Sequence, residues 1–172
     1  MADVTLHIIE PAQKPVLENL MQLYIHDFSD YWGGREDGEL QEDGRFEAYP
    51  DLDSYWTEGA RDEGRTPLFI RTEGFLAGFA LINTFSHSGL PVDHAVAEFW
   101  VARKHRRFGV GLAAAVKILG HRPGQWEMAV ARKNTNAVPF WRKVAAEVAG
   151  PHVEEVDRDD KLWNGPIVRC RV

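Results

Sequence analysis

The chain has 172 residues, 44% of them hydrophobic, enough to bury a sizeable core without help from disulfides or metals. Its 26 acidic residues against 20 basic ones give a formal charge of −6, which argues against a general nucleic-acid binder because phosphate contacts need a basic face. No apolar run is long enough to cross a bilayer, no basic stretch precedes an apolar run at the start, and the only cysteine, Cys170, has no partner, so one cytoplasmic domain over 1–172 is the expectation.

Val4 to Glu10 reads as a first strand. Pro15 to Phe28 reads as a helix, with Val16, Leu20, Leu23 and Asp27 spaced by three or four. His26 and Asp27 close that helix beside Tyr24, Tyr31 and Trp32. His26 titrates near neutrality and is a candidate base, set against the plainer reading of a histidine at a helix C-terminus, where cations are favoured. From Ser29 to Pro50 the sequence turns polar and glycine-dotted, with Gly33-Gly34, Asp37-Gly38 and Asp43-Gly44. Long loops of this kind often line binding sites. Asp51 to Glu63 reads as a short helix carrying Leu52, Tyr55 and Trp56. Thr66 to Thr72 and Phe75 to Phe85 read as strands joined by the tight Glu73-Gly74 turn.

The most informative stretch runs from Glu98 to Trp141. An apolar strand ending in Val101 leads through Lys104-His105-Arg106-Arg107-Phe108-Gly109-Val110-Gly111 into Leu112 to Leu119, a run of good helix formers. Such a turn aims unpaired backbone N–H groups at one point, and the helix dipole favours an anion there. The glycines let the backbone approach that anion, while Arg106, Arg107 and Lys104 offer charge-assisted hydrogen bonds. A Walker A loop is excluded because Gly111 is followed by Leu112. A dinucleotide fingerprint fits Gly109 to Ala114 literally but lacks its context, since a basic stretch separates strand from glycine and Glu127 lies inside its strand. Trp126 to Val130 reads as the next strand. Asn134-Thr135-Asn136 is of helix-capping type, and Pro139 suits a first turn. The second helix should run from near Asn136 to about Val148, stopped by Gly150-Pro151, with two strands after it around Asp157 to Asp160.

Val101, Arg106-x-x-Gly109-x-Gly111 and Asn134-x-x-Ala137-x-x-Phe140-Trp141 resemble, in order and spacing, the cofactor motifs of the GCN5-related N-acetyltransferase (GNAT) superfamily. More narrowly, the chain resembles a group of bacterial predicted acetyltransferases. The pattern of elements implies an α/β (α+β) fold, and the resemblance sharpens it to a mixed, mostly antiparallel central sheet with a splayed strand pair, flanked by helices. It also implies acetyl-CoA as co-substrate. Val101 would pair its backbone with pantetheine, Arg106 to Leu112 (Arg106, Arg107, Phe108, Gly109, Val110, Gly111, Leu112) would hold the pyrophosphate, and Asn134 would touch the pantetheine arm, with Ala137, Phe140 and Trp141 alongside. One departure stands out: many relatives carry tyrosine, their usual proton donor to the leaving thiolate, where this chain has Trp141.

Acetyl transfer to a primary amine requires removal of a proton from that amine. Glu98, three residues before Val101 and between Ala97 and Phe99, is the first candidate base, because burial there would raise its pKa. The plainer reading makes it one half of a structural ion pair. His26 is next in line. The acidic residues Asp30, Glu36, Asp37, Glu39, Glu42 and Asp43 either attract a cationic acceptor such as a polyamine or amino sugar, or are solvated. His87, His94 and His105 show no zinc-type spacing, so no metal is expected. Trp141 keeps a second reading open, a CoA-binding module that senses acyl-CoA without turning it over. Dimers are the commonest assembly, which makes a homodimer the assembly to test.

Overall fold

The computed structural model describes residues 2–31, 38–57, 60 and 63–172. Trp32, Gly33-Gly34, Glu36 and Asp37 lie outside the described residues, as do 58–59 and 61–62. Seven strands form one sheet: β1 (Val4–Ile8), β2 (Thr66–Thr72), β3 (Phe75–Asn83), β4 (His94–Val101), β5 (Gln125–Ala129), β6 (Val153–Asp159) and β7 (Asn164–Arg171), in the spatial order β1-β2-β3-β4-β5-β7-β6. Every neighbouring pair is antiparallel except β4 and β5. Among the described residues three α-helices accompany it, α1 (Lys14–Phe28), α2 (Val110–Gly120) and α3 (Ala137–Ala149).

Alternation along the strands sorts the core onto two faces. Phe69, Phe79, Leu81 and Trp100 face α1 together with Leu52 and Tyr55. Leu68, Ala80, Ile82, Val96, Trp126, Met128 and Val168 face α2 and α3. Because both faces are covered, β2 and β3 read as nearly continuous apolar runs. Ala113 and Ala114 have no exposed surface, and such small side chains let α2 lie close against Val4, Ile70 and Ala77.

Two expectations need correction. The buried stripe of α1 is Leu17, Met21, Tyr24 and Ile25, whereas Val16 is 41% and Leu23 54% exposed. The helix carries two adjoining apolar stripes, and the sheet takes the wider one. Among the described residues of Asp51–Glu63 the helical structure is one 3-10 turn, Leu52–Tyr55, entered through Asp51 in the left-handed region at φ 55°. The indole N–H of Trp56 then ends the turn by donating to the Ile9 carbonyl at 2.7 Å.

The feature that makes a site is the break between β4 and β5. Their parallel pairing holds only at His94 with Trp126 and Ala95 with Glu127. Just beyond it the β3–β4 register passes from Ile82–Val96 to Leu81–Glu98, leaving Ala97 as an extra residue. A bulge of this kind bends its strand and increases the local twist. From there to Val101, β4 stays with β3 while β5 follows β7.

Candidate active site

A cleft of about 1250 Å³ opens where the two strands part. Val96 to Val101 of β4 and Met128 to Ala131 at the end of β5 form its sides, α2 and α3 border one half, and α1 with the segment Phe46–Pro50 borders the other.

On the α2 side, Gly109 sits at φ 80° immediately before the helix, a conformation that suits glycine. The first intrahelical bond there is from the Ala113 N–H to the Gly109 carbonyl at 2.9 Å, so the amides of Val110, Gly111 and Leu112 have no acceptor within the helix. A Cβ on Gly111 would stand 3.6 Å from the Phe140 ring and 3.7 Å from Val101 Cγ2. That single contact brings the strand end, the glycine turn and α3 together. Just past β4 the Ala102 N–H is donated to the Ala77 carbonyl on the β3 side. By strand alternation the Val101 N–H turns the other way, into the cleft.

On the α1 side, Glu98 lies at the bottom of the cleft. Burial pushes its carboxyl up to about 7, and the hydroxyls of Tyr24 and Tyr49, which donate to its two oxygens, hold it from rising further. The Tyr49 bond is 2.8 Å. Burial, reinforced by the carboxylate, keeps both tyrosines well above the ordinary phenol range, so they remain donors. Glu98 is therefore held by two neutral donors rather than by an arginine. It is poised to exchange a proton near neutral pH.

A model of the acetyltransferase (GNAT) family matches residues 17–145, three quarters of the chain. The chain belongs to that family. It is an acyltransferase, with acetyl-CoA as its co-substrate. Solved structures agree in fold. An acetyltransferase from Thermus thermophilus superposes with a TM-score of 0.68 at 14% identity, covering 100% of both chains. The PaiA N-acetyltransferase of Thermoplasma acidophilum, in complex with coenzyme A, gives 0.61 at 11% identity over 99% of each chain. Spermidine N-acetyltransferase from Vibrio cholerae, in complex with CoA and spermine, gives 0.57 at 13% over 96% of this chain and 92% of the other. No curated protein sequence matches the chain.

Of the residues singled out in the sequence, the candidate base Glu98 and the motif residues Val101, Arg106, Arg107, Gly109, Gly111, Leu112, Asn134, Ala137, Phe140 and Trp141 all line the cleft. Phe108 does not, being 76% exposed, and the Val110 side chain is buried against the sheet, which leaves only its amide for binding. His26 does not line the cleft either. Its side chain is 68% exposed and its ring lies 6.1 Å from that of Phe46. Asn136 stands at the start of α3 without a side-chain capping bond.

Arg106 is engaged elsewhere. Its Nε donates to the Val101 carbonyl at 2.7 Å and its Nη2 donates to Asp27 at the end of α1. Asp27 also accepts from Arg103 at 2.7 Å and from the Trp100 indole at 2.9 Å. Burial alone would raise the Asp27 carboxyl, but these hydrogen bonds outweigh it and bring it down to about 2. Arg106 thus ties the strand end to α1, and Arg107, at φ 65°, also lines the cleft.

Sequence reasoning missed Tyr49, and with it Asn83, Phe85, His87 and Trp163, which also border the cleft. Tyr49 is one of four aromatics in the Ser29–Pro50 segment, with Tyr31, Trp32 and Phe46, and nothing local in the sequence sets it apart from them. Phe85 and His87 depend on how the β3–β4 connection folds back, and Trp163 on the β6–β7 turn. The β3–β4 connection is pinned by Glu127, buried in β5, which accepts from Ser86, Ser88 and the His87 and Ser88 amides and pairs with Arg169 directly opposite on β7.

Proposed function

We propose that the protein is an N-acetyltransferase that moves the acetyl group of acetyl-CoA to a primary amine of a small molecule, with Glu98 as the general base. The observation that carries this reading is the half-buried Glu98, held by Tyr24 and Tyr49 at the bottom of the cleft that opens between β4 and β5.

The amides at the start of α2, with Arg107, suit the pyrophosphate, since a helix N-terminus with open glycines favours anions. The pantetheine arm then follows the unpaired edge of β4 past Asn134, Ala137 and Phe140, which brings the thioester beside Val101. The Val101 N–H polarises the thioester carbonyl and stabilises the oxyanion as it forms. The amine nitrogen forms the new N–C bond, its proton passes to the Glu98 carboxylate directly or through one water, and the C–S bond breaks to release the thiolate. The proton on nitrogen becomes more acidic as the N–C bond forms, so a base titrating near 7 is matched to the step.

Trp141 is 7% exposed, with its ring edge-on to Phe99 at 5.3 Å and Phe140 at 4.9 Å. An indole does not titrate as an acid, so its role is to pack the thiol end of the cofactor. A thiol resembling cysteine, with a pKa of about 8.5, leaves readily without a dedicated acid, or takes a proton from water or from Tyr31, since the Tyr24 hydroxyl is committed to Glu98.

The test is release of free thiol from acetyl-CoA over a panel of amines, with the acetylated product identified by mass. Amine-dependent thiol release supports the reading. Tight acetyl-CoA binding with no release over the whole panel favours an acyl-CoA-sensing module.

A further inference from the structure

The half of the cleft on the α1 side is built of rings. From the carboxylate of Glu98 outward, Tyr24 donates to it, Phe28 lies 4.4 Å from the Tyr24 ring, and Tyr31 lies edge-on to Phe28 at 5.3 Å. The same cleft is bordered by a second stack in which His87 stands edge-on to Phe85 at 4.9 Å and to Trp163 at 4.5 Å. This second stack is fixed from behind. The Trp163 indole donates to the Val130 carbonyl at 3.1 Å, and the amide of His87 donates to buried Glu127 at 3.0 Å. Burial also lowers the His87 pKa, against the pull of Glu127, so at neutral pH its ring is an uncharged wall.

Among the described residues, negative charge in this half is scarce. Among the described residues, the carboxylates that line the cleft are Asp27, Glu47 and Glu98. Asp27 is saturated by Arg103, Arg106 and Trp100, and Glu47 is exposed at the rim. The described acidic residues of the loop, Asp30, Glu39, Glu42 and Asp43, do not line it. A polycation needs several carboxylates along its length, one for each ammonium it buries. A single amine on a flat apolar body needs one carboxylate at its reacting end and ring faces beyond it.

We infer that the acceptor is a primary amine joined by a short spacer to an aromatic body, with the nitrogen at Glu98 and the ring between the Tyr24–Phe28–Tyr31 and Phe85–His87–Trp163 walls. This rests on the acetyl-transfer reading, and it goes further by naming the class of acceptor.

The experiment compares kcat/KM for 2-phenylethylamine, its saturated analogue 2-cyclohexylethylamine, n-butylamine, spermidine and glucosamine at saturating acetyl-CoA. The aryl amine should exceed each of the others by about tenfold or more. Trp163→Ala and Phe28→Ala should raise KM for 2-phenylethylamine by about tenfold with acetyl-CoA affinity unchanged, and Trp163→Phe should restore most of it. Preferred turnover of spermidine or glucosamine, or equal rates for the aryl and saturated amines, would overturn the inference while leaving acetyl transfer standing. If no amine is turned over, acetyl transfer fails, and the slot is tested by 2-phenylethylamine binding to the CoA-loaded protein: binding weakened by Trp163→Ala sustains it, and no binding overturns it.

Discussion

Arg106, in the turn that precedes α2, directs its guanidinium to Asp27 at the end of α1, and its Nε holds the Val101 carbonyl at 2.7 Å. A residue whose spacing suggests a phosphate ligand is thereby the clamp that joins the two halves of the cleft. The ring of Trp100 lies 6.0 Å beneath the same guanidinium.

Asp27→Ala should destabilise the fold by about 3 kcal/mol at neutral pH, because it leaves Arg106 and the Trp100 N–H without their acceptor. The Asp27 carboxyl is held at about 2 against an ordinary 3.8, so its stabilising contribution is present above 3.8 and is lost as the pH falls through about 2. Denaturant titrations of wild type and variant should therefore converge at the acid end.

Tyr49→Phe removes the donor to Glu98 Oε1 without changing the ring. The tyrosine bond favours the charged carboxylate, so its loss lets burial raise the Glu98 pKa above about 7. The acid limb of the pH–rate profile should move to higher pH while the rate at high pH changes little. An unmoved limb would show that Tyr49 does not act through Glu98.

Gly109→Ala adds a Cβ that meets nothing within 4 Å, so its cost is the strain of φ 80° on a residue with a side chain, about 1 kcal/mol. Gly74→Ala, at the same φ and equally unobstructed, is the matched control. Only the change at 109 should weaken acetyl-CoA binding by calorimetry. Gly111→Val should weaken it more, because its site already stands at contact distance from Phe140 and Val101.

Trp141→Phe keeps an aromatic ring against Phe99 and Phe140 and should retain most of the turnover. Trp141→Tyr restores a phenol and should gain little. A large rate increase in the tyrosine variant alone, over a nearly inactive wild type, would show that the thiolate needs an acid at this position.

Much of the cofactor half of the site was legible because its chemistry is local. The strand end at Val101, the glycines at 109 and 111 and the start of α3 follow one another within about forty residues, and capping and turn rules apply to such stretches directly. Glu98 was readable as a carboxylate among apolar neighbours, but its partners were not. Tyr24 and Tyr49 are 74 and 49 residues away, and no local rule distinguishes them from core aromatics. The same distance hid the pairing of Arg106 with Asp27. The stripe of α1 was misread because Val16, Leu20 and Leu23 are as apolar as Leu17, Met21 and Ile25, and only packing on the sheet chooses between them. The Phe85–His87–Trp163 wall of the acceptor half comes from the β3–β4 connection and the β6–β7 turn, which are tied together through Glu127 and Arg169 and through the bond from Arg158 to the Ser88 carbonyl.

The most direct test is the pH dependence of thiol release by wild type and Glu98→Gln over pH 5.5 to about 9 with a saturating amine. The Glu98 carboxyl titrates near 7, so it becomes a base as the pH rises through that value, and wild-type turnover should climb with it. Glu98→Gln should lose most of the turnover and the acid limb while binding acetyl-CoA as the wild type does, and it should be the more stable protein at pH 8 because a charge no longer has to be buried. A variant that keeps the wild-type rate and the wild-type acid limb would contradict the account and make Glu98 a structural carboxylate.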